Sequence, residues 1–215
     1  EDPIEYTLKG IGQTQVNTKT GYTFAKGLRA MLRQDPDVMM VGEIRDIETA
    51  QIAIQSSLTG HLVLSTVHTN SAVGAITRLR DMGIESFLLS SSLRSIISQR
   101  LVRRLCNSCK VESIPSKEAI RLFNLDHDSK TFLAEGCSSC SFSGFQGRIA
   151  IAECIQIDQI TRDLIHQKAS EQEIVEHVFK DQPSIDAASR ELVVNGITSS
   201  EEIMRLNNLT QDASL

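Results

Sequence analysis

The run Val38-Met39-Met40-Val41-Gly42-Glu43, apolar up to a glycine and then an acid, most constrains what this chain can fold into. Four apolar residues without alternation predict a buried strand of a parallel sheet. Glu43 then sits at the strand's C-terminal edge, where open α/β sheets bind ligands. In nucleotide hydrolases a carboxylate at that edge polarises the attacking water or holds Mg²⁺. A surface Glu at a strand end is the plainer alternative.

The flanking residues extend the pattern. Thr23 predicts an N-cap for a helix over residues 24 to about 34, with Phe24, Leu28, Met31 and Leu32 on one face. Asp35-Pro36-Asp37 ends that helix, because proline disfavours helix in the residue before it. Asp46 predicts the cap of a second helix to about Leu58, and Gly60 suits its end. A second buried strand is expected over 62–67, a helix over 71–82 and another from about 86 to 102. Residues 1–22 read as a strand, a loop at Gly10-Ile11-Gly12 and a return strand. Strand and helix alternating in this way argue for a parallel sheet covered by helices. Beyond Cys106, a short helix is expected over 116–125 and a strand over 148–157. Helices follow over 160–167, 171–179, 185–195 and 200–207, before a polar, frayed tail over 208–215.

At 215 residues the chain fits one large domain, or one with an appendage. No apolar run approaches the ~20 residues needed to span a bilayer. The acidic opening does not resemble a secretory signal. A net charge of −5 argues against a dedicated nucleic-acid binder. Arg94, Arg100, Arg103 and Arg104 nonetheless cluster in sequence. They mark either a solvated helix end or a contact with nucleotide, a neighbouring subunit or an acidic partner.

Four of the five cysteines form two Cys-x-x-Cys pairs, Cys106/Cys109 and Cys137/Cys140. Two-residue spacers let both thiolates of a pair reach one ion, and two pairs make a closed tetrahedral set. Structural zinc in a reducing compartment is the expectation, against four unligated thiols. Cys154 follows Ile149-Ala150-Ile151-Ala152 and is expected to be buried.

Four blocks taken together closely resemble the bacterial type II secretion and type IV pilus assembly ATPases. They are Glu1-Asp2-Pro3-Ile4-Glu5-Tyr6 (similar to that family's aspartate box), Leu32 to Asp37 leading directly into the Val38 strand (its Walker B motif), Thr59 to Thr69 (its histidine box) and Gln99 to Cys106. The likeness runs from residue 1 to about residue 155. It implies a RecA-like core of parallel or mixed sheet, an inserted Cys₄ zinc module and a helical C-terminal region. The corresponding divisions are 1–105, 106–147 and 148–215. The phosphate-binding loop G-x-x-x-x-G-K-[ST] is absent. Residues 1–215 are therefore expected to be the C-terminal part of a longer ATPase, and to hydrolyse ATP negligibly alone.

The resemblance also implies roles. Glu43 is the general base, with Gly42 where a Walker B strand usually carries Asp. Glu1 and Glu5, with Asp2, help hold Mg²⁺ through water, although Asp2-Pro3 also reads as a turn. His68, at the same strand edge as Glu43, is the better γ-phosphate sensor and His61 the weaker; a histidine bonded to backbone is the alternative. Arg45 pairs with an acid to shape the site, and Arg100 is a nucleotide-contact candidate. Cys106, Cys109, Cys137 and Cys140 hold the metal as a rigid platform for a partner. The implied whole is a cytoplasmic homo-hexameric ATPase of the protein-transporting type. It would sit peripherally at the inner membrane, through platform and cytoplasmic-anchor proteins, and power assembly of pilin-like subunits without contacting nucleic acid. The competing class is a zinc-ribbon module binding nucleic acid or protein through Arg100, Arg103 and Arg104.

Overall fold

Strand β1 (Val38–Val41) runs parallel to β2 (Leu62–Ser65), with Val38 opposite Leu62 and Val41 opposite Ser65. The crossover between them is α2 (Ile47–Leu58), capped by Asp46, whose carboxylate accepts the Thr49 N–H at 2.8 Å. Helix α1 (Phe24–Met31), capped by Thr23 as predicted, packs against α2 and β1. A computed structural model describes residues 1–212, with side chains to residue 206.

Two compact units are present. The first comprises residues 1–96 and 156–178. It holds α1, β1, α2 and β2, then α3 (Gly74–Asp81), α4 (Ser86–Ser92), α6 (Gln159–His166) and α7 (Glu171–Val178). Its core includes Leu28, Ala50, Ile76, Leu89, Ile165 and Ile174, all essentially inaccessible. Each buried Leu or Ile side chain among them contributes about 1.5–3 kcal/mol. The parallel pair is not buried on both faces as expected. Met39 and Val41 point into the core, whereas Val38, Met40, Leu62 and Leu64 are about half exposed on the other face. The second strand is also shorter than 62–67.

Residues 1–22 do not form two strands. Asn17 and Tyr22 make one isolated antiparallel bridge around a 3-10 turn at Thr18–Thr20. Gln13 takes over part of the backbone pairing, because its amide bonds to Leu8 N–H (2.7 Å) and Tyr6 O (2.9 Å). The helix expected over 86–102 is likewise corrected: α4 stops at Ser92 and β3 covers Ser95–Leu105. Ser90, Ser91 and Ser92 return their hydroxyls to the carbonyls of Phe87 and Leu88, a local competition that weakens helix. Ile96, Ile97 and Val102 then favour extended chain.

The second unit comprises residues 97–155 and 179 onward. Strand β3 pairs with β6 (Phe145–Gln156), and β4 (Lys110–Ser113) pairs antiparallel with β5 (Thr131–Ala134). Helices α5 (Lys117–Phe123), α8 (Ile185–Val194) and α9 (Ser200–Asp212) complete it. Val102, Phe123, Ile151, Val193 and Ile203 form one apolar cluster. Cys154 is exposed, not buried, because strict alternation along β6 turns Glu153 and Ile155 inward and Cys154 out. Of the tail expected to fray, residues 208–212 lie within α9, and residues 213–215 lie outside the described residues.

Candidate functional site

Because β1 and β2 are parallel, the residues that follow them emerge at one edge. Thr66 stitches the two exits together: its hydroxyl donates to Gly42 O at 2.6 Å, and its carbonyl accepts the Ile44 N–H at 3.0 Å. Glu43 lies between these contacts. Its Oε2 accepts from Arg45 Nε and Nη2, both at 2.6 Å, and its Oε1 lies 3.0 Å from His68 Nε2. The Glu43 side chain is 15% exposed, whereas that of His68 is 89% exposed. A sheltered carboxylate is thus held from two sides by partners that are both open to solvent.

The N-terminal segment reaches the same strand end. A Cβ built on Gly42 would touch Glu1 Cα at 3.4 Å. Glu1 Oε1 accepts from Gln13 Nε2 at 2.9 Å, and the residue lines a cavity of about 30 Å³ with Tyr22, Phe24, Met40 and Val41. Asp2 and Glu5 are exposed. His61 lies at the opposite end of β2, where its Nδ1 meets Ser56 O at 2.9 Å and Thr59 Oγ1 at 3.2 Å. Glu43, Arg45 and His68 therefore come together, Glu1 packs against the adjoining glycine, and His61 stays with the end of α2.

The second constellation lies in the other unit. The four sulfurs of Cys106, Cys109, Cys137 and Cys140 lie within 4.8 Å of one another. The pairs 106–137, 109–140 and 137–140 are 4.0, 3.8 and 3.9 Å apart. A tetrahedral ion with bonds of about 2.3 Å requires sulfur–sulfur edges of about 3.8 Å, so the four cysteines fit one. The backbone N–H of Cys137 donates to Cys140 Sγ at 3.2 Å, as does that of Gly144. Against the opposing effect of burial, these bonds hold the Cys140 thiol down to about 6. Loss of solvation pushes Cys109 up to about 12, and its thiol neighbours add to this. Four adjacent thiols do not ionise together unless a cation compensates them.

The type II/IV secretion system protein family matches residues 1–205. The chain belongs to this family. Over 208 residues it is 55% identical to the type II secretion system ATPase E of Vibrio cholerae serotype O1. It is 56% identical over the same length to the type II secretion system protein E of Pseudomonas aeruginosa. Each alignment takes in 96% of this chain and 41% of the relative, so the chain spans about two fifths of the length of these relatives. The crystal structure of the pilus retraction motor PilT with bound ADP superposes with a TM-score of 0.68 at 29% identity, covering 95% of this chain and 50% of that one. The Legionella pneumophila ATPase DotB shares the fold, with a TM-score of 0.65 at 21% identity over 96% of this chain and 50% of that one. The α/β class expected from the sequence therefore holds for this member of the secretion family.

Among the basic residues, Arg103 is engaged inside its own unit. Its guanidinium bonds to Glu202 at 2.6 Å and stacks on Phe145 at 4.0 Å. Glu202 also accepts from Arg205 Nη2 at 3.1 Å, and its side chain is 1% exposed. Much of the hydrogen-bonding capacity of Arg103 is thus used within its own unit. Sequence reasoning missed Thr66, Gln13 and Glu202. Only Thr66 left a local signal, as a hydroxyl at the strand exit.

Proposed function

We propose that the protein to which these residues belong is an ATP-hydrolysing motor of a type II secretion or type IV pilus machine. The observation that carries this reading is Glu43 at the shared edge of two parallel strands, with His68 and Arg45 on its two oxygens. Glu43 is the general base, accepting a proton from the attacking water. His68 reads the γ-phosphate, and Arg45 holds the carboxylate in place. Glu1, Glu5 and Asp2 support Mg²⁺ through water ligands, as oxygen donors suit that ion. Arg100 contributes to nucleotide contact, and His61 plays the lesser part.

In this reading the four cysteines hold zinc, the usual ion of a closed tetrathiolate set. The metal stiffens residues 106–147 as a docking platform. The working assembly is a cytoplasmic hexamer at the inner membrane, engaging platform and cytoplasmic-anchor proteins. Residues 1–215 contain no G-x-x-x-x-G-K-[ST] sequence, so turnover requires the remainder of the protein. Mg²⁺-dependent ATP turnover, measured on residues 1–215 and on the full-length protein, tests this. Activity in the full-length protein alone supports the motor; activity in neither refutes it.

A further inference from the structure

The loop from Thr69 to Gly74, which joins His68 to α3, is held by a residue a hundred positions away. Ser71 Oγ accepts the Gly74 N–H at 2.9 Å and donates to Glu171 Oε1 at 3.1 Å. Ser71 thereby caps α3, whose N-cap residue Val73 makes no side-chain bond. A side chain at position 74 would spoil the fit, since its Cβ would lie 2.8 Å from Ser71 Oγ and 3.7 Å from Glu171 Oε1. Thr69 Oγ1 closes the loop by donating to Ser71 O at 2.9 Å.

Glu171 is itself anchored. Ser170 N–H donates to Glu173 Oε2 at 2.8 Å while Glu173 N–H donates to Ser170 Oγ at 3.3 Å, a reciprocal cap at the start of α7. One residue earlier, Ala169 O accepts from Arg80 Nη1 in the last turn of α3 at 3.1 Å. The segment 169–171 thus grips α3 at both ends, within one compact unit.

We propose that Glu171 is a positioning residue for His68, acting through Ser71; this rests on the reading of the Glu43 edge as the ATP site. A side chain as exposed as that of His68 gains little orientation from packing, so its aim comes from the backbone that carries it. That backbone runs directly into Thr69 and Ser71. Restraining Ser71 fixes the approach of the imidazole to Glu43, and α7 supplies the restraint.

The test pairs turnover in the full-length protein with amide exchange in residues 1–215. E171A is expected to lower kcat about fivefold to tenfold with KM within twofold, as for loss of a transition-state interaction. E171Q keeps an oxygen for Ser71 to donate to and regains at least half the rate. S71A, which also removes the acceptor of the Gly74 N–H, is at least as slow as E171A, and the double variant is no slower than S71A, because Glu171 acts only through Ser71. Exchange at the Gly74 N–H quickens at least fivefold in E171A and not in E171Q. Unchanged exchange overturns the proposal whatever the kinetics, as does quickened exchange with kcat within twofold of the parent. E43Q is the control for the site itself. Were E43Q fully active, the ATP-site reading would fail, and exchange alone would decide whether Glu171 holds the loop.

Discussion

His68 Nε2 stands 3.0 Å from Glu43 Oε1 although 24 residues intervene between the two in sequence. The contact exists because parallel strands deliver both residues to one edge, and Thr66 locks the exits together. Replacing Glu43 by Gln keeps the shape and removes the base. E43Q in the full-length protein is expected to lose at least ~100-fold in kcat with ATP affinity retained. Single-turnover hydrolysis beside equilibrium nucleotide binding measures both. Retention of more than about a tenth of the rate would remove Glu43 from that role.

The cysteine cluster predicts one tightly held metal ion per chain. Mass spectrometry under native conditions, after purification without chelator, is expected to find zinc in the parent and in Cys154→Ser, and to find it lost in Cys140→Ser. Equal metal content in Cys140→Ser would dismiss the tetrathiolate site.

Gly144 serves the same cluster through its backbone. Its N–H donates to Cys140 Sγ, its carbonyl accepts from Cys106 N–H at 2.9 Å, and its φ of 74° lies in the left-handed region. A Cβ there would fall 2.5 Å from that of Ala134. Gly144→Ala is expected to cost about 2 kcal/mol or more and to weaken metal retention. The urea midpoint and metal content of the purified variant report on the two effects.

Glu202 gives the second unit a specific acid sensitivity. Burial alone would raise its pKa, but hydrogen bonds from Arg103 and Arg205 win and hold it at about 2. The folded value is depressed, so the stabilisation is complete above the ordinary Glu value of about 4.3 and fades as pH falls toward 2. With both arginines about half exposed, about 2–3 kcal/mol is the expected size. The difference in unfolding free energy between the parent and Glu202→Gln is expected to shrink across that window. A difference constant from pH 6 to pH 2 would contradict it.

Some of this was legible in the chain and some was not. Glu43 and His68 could be placed at one edge because an apolar run, a crossover helix and a second apolar run admit few topologies. The cysteine pairs were legible because two-residue spacers let both thiols of a pair converge on one point. Residues 86–102 misled, since short stretches rich in Ser, Leu and Ile satisfy helical and extended periods alike. Val38 and Met40 misled as well, because an apolar run does not reveal which face will be covered within these residues. Glu171 and Glu202 left no trace, since a side chain that pairs a hundred residues away has no local pattern.

The pairing of Arg103 with Glu202 also bears on biosynthesis. The partner emerges from the ribosome 99 residues after the arginine. At about 5–20 residues per second, Arg103 waits about 5–20 seconds for its carboxylate. Phe145, on which the guanidinium stacks, is made part-way through that interval, and Glu202 only at its end. The Arg103–Glu202 pair therefore forms only after the start of α9 has been made, however early its neighbours fold.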